Sequence, residues 1–427
     1  MRKAAILAAG DSTRMMPLSA NIPKHLLPVA GKPLIFHTLK ALQDAGIKET
    51  LVVYGYRGEE LRTAIDEQQW GEMSIHYTFQ EKRMGTAHAA GYAREFAGDD
   101  DILLMYGDIM AESSSFKGLV DFHNKGMYSL TMAVFPVEDI SAYGVVVVKD
   151  EKVTDISEKP KLGDVDSNLI NAGIFGVTSE LWDAIDKTEL SSRGEYEITD
   201  SIMMLAENES VGAYTLPSWW VDVGKPWDLL EANKQILSTA KREIKGTVEE
   251  GTTLIGDVIV EEGAKIRSGA YIQGPVYIAK GCKIGPNCYI RPHTCLMGGV
   301  KVGNACEVKN SLVMEGSSIG HLSYVGDSII GRQVNFGAGT TTANLRHDNK
   351  SISVTIKEKR VSSGRRKLGT IIGDFVKTGI GTLIYPGAIL HTHAQTGIGV
   401  IVDRDIEEGK LVIVKQDKME LKSTSIK

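Results

Sequence analysis

Aliphatic residues recur at every sixth position from Val248 onward: Val248, Leu254, Val260, Ile266, Ile272, Ile278, Ile284, Ile290, Leu296, Val302, Val308 and Met314. A short repeat cannot bury its own aliphatic residue, so successive repeats must stack these side chains into one continuous core. The pattern predicts a solenoid of short strands. Gly and Asn between the aliphatic positions suit corners whose backbone angles other residues avoid. The register slips around 315 to 325, returns at Ile330-Gly331, and resumes from Ile372 through Thr378, Ile384 and Leu390.

The earlier part of the chain is patterned differently. Apolar stretches at 3–9, 50–53, 102–105 and 130–135 alternate with helical spacing at 34–45 and 58–67. That alternation predicts an α/β, Rossmann-like domain over 1–225 with a largely parallel sheet. Between the two patterns, 226–245 opens with Pro226 and sets Leu229, Leu230, Asn233, Ile236, Leu237, Ala240 and Ile244 at helical spacing. A connecting helix that packs on both sides is expected there, with the solenoid over 246–427.

Composition supports two folds. All five Trp precede residue 228 and all four Cys follow residue 281. Cys282, Cys288 and Cys306 fall four places after an aliphatic position, where Ala264, Ala270, Val276 and Thr294 also fall, so they read as small packing residues rather than disulfide or zinc partners. The 427 residues carry 48 basic and 54 acidic side chains, and no block of like charge marks a nucleic-acid binder. No apolar run reaches the roughly 18 residues of a membrane helix, and the run at 4–9 is too short for a signal-peptide core. The expected location is the cytoplasm.

Candidate chemistry begins where the first strand ends, in Leu7-Ala8-Ala9-Gly10-Asp11-Ser12-Thr13-Arg14, followed by Pro23-Lys24 and Leu26-Leu27-Pro28-Val29. Small residues after a strand present backbone N–H groups to phosphate, and Arg14 and Lys24 add positive charge. The segment is neither a Walker loop nor GxGxxG. It resembles the signature of the nucleotide-sugar pyrophosphorylases, which join a sugar 1-phosphate to a nucleoside triphosphate, with Ser12 where that family usually has a second Gly. The resemblance implies that Leu7, Ala8, Ala9 and Gly10 hold the nucleotide while Arg14 and Lys24 act along the triphosphate. Further segments follow in the family's order. Gln80 with Gly85-Thr86-Ala87-His88 resembles the base-recognition segment. Asp108 in Tyr106-Gly107-Asp108 and Asp222 in Val221-Asp222-Val223-Gly224 resemble the metal-binding pair, and two carboxylates at strand ends suit Mg²⁺. Gly144, Glu158, Asn171 and Thr199 resemble sugar-phosphate positions.

A second resemblance lies in the solenoid, in Gly320-His321-Leu322-Ser323-Tyr324-Val325-Gly326-Asp327, Val334-Asn335-Phe336-Gly337-Ala338-Gly339-Thr340, Asn344, Arg291-Pro292 and Glu307-Val308-Lys309. These match the acyltransferase domain of the bifunctional sugar-1-phosphate nucleotidylyltransferase/acetyltransferases that make UDP-N-acetylglucosamine, and that family joins both domains in this order. The resemblance implies a left-handed parallel β-helix, a homotrimer with active sites between subunits, and acetyl-CoA as donor. It implies His321 as general base, Arg291, Lys309, Tyr324 and Asn335 on the sugar phosphate, and Ala338, Asn344 and Lys350 at acetyl transfer. Leu345 and the basic excursion over 346–371 look like the archaeal-type branch, and the cations there meet either phosphates or only solvent.

The expected substrates are sugar 1-phosphate, UTP or dTTP, and acetyl-CoA. Asp222 stands where the bacterial bifunctional enzymes have Asn. One alternative is therefore a glucose-1-phosphate thymidylyl- or uridylyltransferase whose β-helix only trimerises the chain. Another is a scaffold or regulatory subunit, against which the intact Arg14, Lys24, Asp108 and His321 argue. His391-Thr392-His393 lies in the six-residue register with no third ligand near it, and a structural role is expected.

Overall fold

The computed structural model describes residues 1–415 apart from Tyr56, Met127 and Leu162. The chain forms two compact units. The first comprises Met1–Thr13, Ile22–Pro28 and Lys32–Gly224, and the second Arg14–Asn21, Val29–Gly31 and the chain from Lys225 onward.

Among the described residues the first unit contains a nine-stranded sheet in the order Ser74–Phe79, Glu49–Tyr54, Lys3–Ala8, Ile102–Tyr106, Leu169–Val177, Leu130–Pro136, Val211–Thr215, Lys152–Glu158, Gly144–Lys149. The first four strands are parallel, and Glu49–Tyr54, Lys3–Ala8 and Ile102–Tyr106 are buried enough to read as apolar runs, while Ser74–Phe79 forms the exposed edge. Alternate residues serve different cores: Ala4, Ile6 and Ala8 pack with helices Leu34–Asp44 and Ser113–His123, while Ala5 packs with Thr86–Gly91, Glu180–Lys187 and Ile198–Ala206. The expectation of a largely parallel sheet holds only for this half. Leu169–Val177 runs antiparallel to both its principal neighbours, and Gly144–Lys149 and Lys152–Glu158 form a hairpin. Its turn residues, Asp150 and Glu151, both have positive φ, the turn that matches strand twist.

In the second unit, three parallel sheets each take one strand per coil. Ile266, Ile284 and Val302 stack in one sheet, Ile272, Ile290 and Val308 in the next, and Val260, Ile278 and Leu296 in the third. Each six-residue repeat moves the chain to the next sheet, and three repeats complete the circuit, as in Ile266 to Ile284. The register shortens earlier than 315: Leu296 pairs with Val313, not Met314, because the corner after Lys309 turns with one residue fewer than the corner after Arg291. Asn310, at that corner, takes positive φ. The connecting helix spans Asp228–Thr239, shorter than its apolar spacing suggested. Ala240 turns extended, and Glu243–Ile244 enters a sheet beside Ile259 and Val260. The excursion before Ile371–Ile372 carries an antiparallel hairpin, Ser353–Ile356 with Lys359–Ser362. No helix among the described residues is long and apolar enough to cross a membrane.

Candidate functional site

The first cluster forms at the carboxyl ends of the central parallel strands. Leu7 pairs with Tyr106, and the Gly107 N–H donates to the Leu7 carbonyl at 2.9 Å, so the small-residue loop and the Tyr106-Gly107-Asp108 turn leave the sheet together. Gly107 leaves the turn close-packed, since a Cβ would meet His25 Nε2, the Leu7 carbonyl and Ala8 at 3.0–3.1 Å. Ala8 and Ala9 are buried and Gly10 is exposed. Ser12 takes φ +59°, the left-handed conformation that Gly adopts without strain.

Lys24, only 7 % exposed, pairs with Asp108 at 2.5 Å. Burial alone would raise the Asp108 carboxyl, but the Lys24 ammonium outweighs it and holds the group below its ordinary value. His25 lies behind them, and burial, aided by the Lys24 charge, lowers its pKa to about 3. It is a neutral packing imidazole that the sequence reading missed, although it directly follows Lys24.

Asp222 comes to the same place by strand pairing. Trp220–Asp222 runs antiparallel to Ile109–Ala111, with Asp222 opposite Ile109 and the Val223 N–H donating to the Asp108 carbonyl at 2.9 Å. The pairing sets two carboxylate-bearing residues, hard oxygen donors of the kind a divalent cation takes, at adjoining strand ends. Tyr106 reports the crowding. Burial first, then the charges of Asp108, Glu158 and Asp222, push its hydroxyl above the ordinary tyrosine value, with a bond to Thr86 opposing.

The remaining positions join this cluster through local devices. Gly85, at φ +113°, lies against the Tyr196 backbone, where a Cβ would approach the carbonyl oxygen to 2.2 Å. Thr86 Oγ1 accepts the Ile198 N–H at 2.9 Å, which ties the Gly85-Thr86 segment to the one holding Thr199. Asn171 occupies a bulge in Leu169–Val177 and accepts the Gly173 N–H at 2.9 Å, while Gly173 lets the chain pass the Tyr106 ring. Gly144 pairs with Glu158, whose carboxylate lies 3.4 Å from both Lys159 and Arg193. Gln80 is buried, with Nε2 2.9 Å from His88 Nδ1. Arg14 is exposed on the turn Thr13–Met15.

The second cluster lies on successive coils. Arg291 and Lys309 each follow an inward aliphatic residue, Ile290 and Val308, and so repeat on one sheet face. Arg291 pairs with Glu307 at 2.8 Å and lies over the Tyr289 ring. Buried Asp327 collects Asn310 at 2.7 Å, Asn344 at 2.5 Å and Lys309 at 3.3 Å. Asn344 also donates to the Tyr324 hydroxyl at 3.1 Å. Burial, then the Asp327 charge, raises that hydroxyl. Gly326 makes the arrangement possible, since a Cβ would lie 2.4 Å from the Tyr324 hydroxyl and 2.7 Å from Asn344. Sequence reasoning assigned Asp327 no role, although it closes the Gly320-to-Asp327 segment.

His321, Asn335 and Ala338 form another group, on the neighbouring sheet and its corner. His321 is exposed at the end of Ser318–His321, and its carbonyl accepts the Ser323 hydroxyl at 2.8 Å and the Gly339 N–H at 3.1 Å. Tyr324 begins the next strand, across the corner at Leu322-Ser323. Asn335 is exposed one coil on, opposite Ser318. Lys350 is exposed in the excursion, where its N–H donates to Asp348. Four excursion cations have partners: Arg346 with Asp348, Arg360 with Ser353 and Thr355, Arg366 with Asn349, and Arg365 with Glu231. The excursion and the coils at 383–405 bound a cavity of about 1040 Å³. All four Cys are free and buried. His393 stacks on Phe375 at 4.9 Å, and no metal-holding group of His, Cys, Asp and Glu occurs among the described residues.

Residues 3–239 match the nucleotidyl transferase family, and residues 272–396 match the GMPPB C-terminal domain. A bifunctional protein GlmU of Methanococcus maripaludis is 44% identical over 415 residues, covering 97% of this chain and 98% of that one. The chain belongs to the bifunctional GlmU family. A GlmU of Methanocaldococcus jannaschii is 41% identical, covering 97% of this chain and 98% of that one. A bifunctional sugar-1-phosphate nucleotidylyltransferase/acetyltransferase of Sulfurisphaera tokodaii is 40% identical, covering 96% and 99%. Among solved structures, a UDP-glucose pyrophosphorylase complexed with UDP-glucose covers 56% of this chain and 99% of its own, with TM-score 0.51 and 23% identity. That likeness shows the nucleotidyltransferase fold of the first unit.

Proposed function

We propose that this GlmU family member acetylates glucosamine 1-phosphate with acetyl-CoA and then transfers UMP from UTP to the N-acetylglucosamine 1-phosphate formed. Full-length similarity to bifunctional relatives carries the reading. In the second unit the sugar amine attacks the thioester, its proton passes to His321, and the CoA thiolate leaves as the amide forms. Arg291 and Lys309 hold the sugar phosphate, with Tyr324 and Asn335 beside it. Asp327 keeps Lys309 and Asn344 in place, and Ala338, Asn344 and Lys350 border acetyl transfer. The cavity beside the excursion is large enough for the acetyl donor.

In the first unit a sugar-phosphate oxygen attacks the α-phosphorus of UTP and pyrophosphate departs, with no protein nucleophile. Leu7, Ala8, Ala9 and Gly10 position the nucleotide, and Gln80, Gly85 and Thr86 receive its base. Gly144, Glu158, Asn171 and Thr199 receive the sugar, and Arg14 and Lys24 offset phosphate charge. Asp108 and Asp222 would hold Mg²⁺, which neutralises charge on the phosphates when bound. We further propose domains at 1–225 and 246–427 joined through 226–245, a left-handed β-helix, a homotrimer and a cytoplasmic location. The similarity over both units favours this reading over a thymidylyl- or uridylyltransferase with a merely trimerising coil, and over a scaffold. Purified protein assayed against glucosamine, N-acetylglucosamine and glucose 1-phosphates, with thiol and pyrophosphate release scored separately, tests it. Pyrophosphate release without thiol release from any amino sugar would overturn the bifunctional reading.

A further inference from the structure

We propose that Asp374 is a positioning residue for uridylyl transfer: it holds Asn21 and, through the compact segment Arg14–Asn21, fixes the Arg14 side chain. The inference rests on the uridylyl-transfer reading and goes beyond it by giving a residue of the coils a share in that reaction.

The segment Arg14–Asn21 follows the nucleotide loop directly in sequence, yet it belongs to the second unit. It is a tight turn. The Met15 carbonyl accepts the Leu18 N–H at 3.0 Å and the Ser19 N–H at 3.4 Å, and the Pro17 carbonyl accepts the Ala20 N–H at 3.2 Å. Met15 and Leu18 are buried. Arg14 stands at one end of this turn and Asn21 at the other, so a fixed Asn21 restricts where Arg14 can go.

A buried carboxylate fixes Asn21. Ile330 pairs with Ile372, which sets Arg332 and Asp374 at the same corner on adjacent coils. Asp374 Oδ1 accepts the Arg332 N–H at 2.8 Å, and Oδ2 accepts Arg332 Nη2 at 2.6 Å and Nε at 3.0 Å. Asn21 Nδ2 donates to the same Oδ2 at 3.1 Å. A carboxylate only accepts, so the amide must present its NH₂, and a hydrogen bond to a charged group is stronger than a neutral one. Gly373 lets the segment come close, since a Cβ there would lie 3.0 Å from Pro17 Cβ. Arg332 and Asp374 by themselves would only tie two coils together. The added bond from Asn21 gives the pair its second task, and neither Asn21 nor Asp374 is among the residues assigned to acetyl transfer.

The test uses the full-length protein and measures pyrophosphate release from UTP with N-acetylglucosamine 1-phosphate, and thiol release from acetyl-CoA with glucosamine 1-phosphate. Asn21→Ala leaves the Arg332–Asp374 pair intact and should lower uridylyl kcat/KM about tenfold, chiefly in kcat. Asn21→Asp sets two carboxylates against each other and should lower it about 10²-fold. Adding Asp374→Asn to Asn21→Asp returns an amide to face the carboxylate and should restore most of the rate, which a plain charge effect of residue 21 on the phosphates would not. Thiol release should stay at the wild-type rate in all three variants. In an Arg14→Ala background Asn21→Ala should have no further effect, because the group it positions is gone. The proposal is overturned by unchanged pyrophosphate release in Asn21→Ala and Asn21→Asp, by equal loss of both activities, by failure of the second change to rescue, or by the same loss in the Arg14→Ala background. Each of these leaves uridylyl transfer itself standing. Wild type that releases no pyrophosphate from UTP would overturn the underlying reading as well.

Discussion

In the α/β unit each candidate side chain comes from a different element by a different device, whereas in the coiled unit the main polar cluster comes from successive coils of one stacked sheet and their corners. Asp108 follows a strand end, Asp222 arrives through a two-stranded pairing, Asn171 sits in a bulge, and Gly85 depends on a positive φ. Arg291 and Lys309 instead repeat one position on adjacent coils, Tyr324 stands opposite Glu307 on the next, and Asn344 and buried Asp327 follow the ends of their strands. A site of the first kind tolerates little change in any single element. One of the second kind depends on the register between coils, so a shared anchor such as Asp327 carries several residues at once.

The largest expected effects separate the two units. Asp108→Asn should reduce pyrophosphate release by about 10²–10³-fold or more, because charge stabilisation in a dry site is lost, with thiol release from acetyl-CoA unchanged. His321→Ala should do the reverse, lowering thiol release by about 10²–10⁴-fold, the share of general-base catalysis, with uridylyl transfer to ready-made N-acetylglucosamine 1-phosphate intact. Parallel loss of both activities in either variant would break the comparison.

Next in size is the shared anchor. Asp327→Asn keeps the shape but removes the charge that holds Lys309, Asn310 and Asn344, and a hydrogen bond to a charged group contributes about 1.5–3 kcal/mol. Acetyl-transfer kcat/KM for the amino sugar should fall about 10- to 100-fold, read as initial rates at subsaturating sugar. No change would mean that Asp327 anchors nothing the reaction uses.

The smallest effect concerns the coil's interior. Burial raises the Cys282 and Cys288 thiols to about 12 and raises Cys295 and Cys306 as well. At pH 8 a thiol reagent should find no reactive cysteine in the native protein and four after denaturation. Fast labelling of the native chain would indicate that the stacked core opens.

The same contrast governs what could be read from sequence. A period of six is a property of the chain alone, so the coils, their inward aliphatic columns and the small buried Cys positions were legible from Val248 onward. The one-residue shortening after Lys309 was misplaced because Val313 and Met314 are both aliphatic and both buried. In the α/β unit the strands at 3–9, 50–53, 102–105 and 130–135 were legible as apolar runs, but Ser74–Phe79, Leu169–Val177 and the hairpin of Gly144–Lys149 with Lys152–Glu158 were not, and the antiparallel pairing is fixed by partners distant in sequence. Asp108 and Asp222 were named by resemblance, and nothing in their local sequence reveals that Val223 bonds to Asp108. His25 and Asp327 acquire their roles only from contacts.

The central claim, two independent chemistries built differently in one chain, is tested most directly by mixing. Asp108→Asn and His321→Ala are each supplied with glucosamine 1-phosphate, acetyl-CoA and UTP, singly and together, and UDP-N-acetylglucosamine is measured. Each variant alone should make almost none. The mixture should recover a large part of the wild-type yield, because N-acetylglucosamine 1-phosphate made by one variant diffuses to the other. A mixture as inactive as its components would contradict the account.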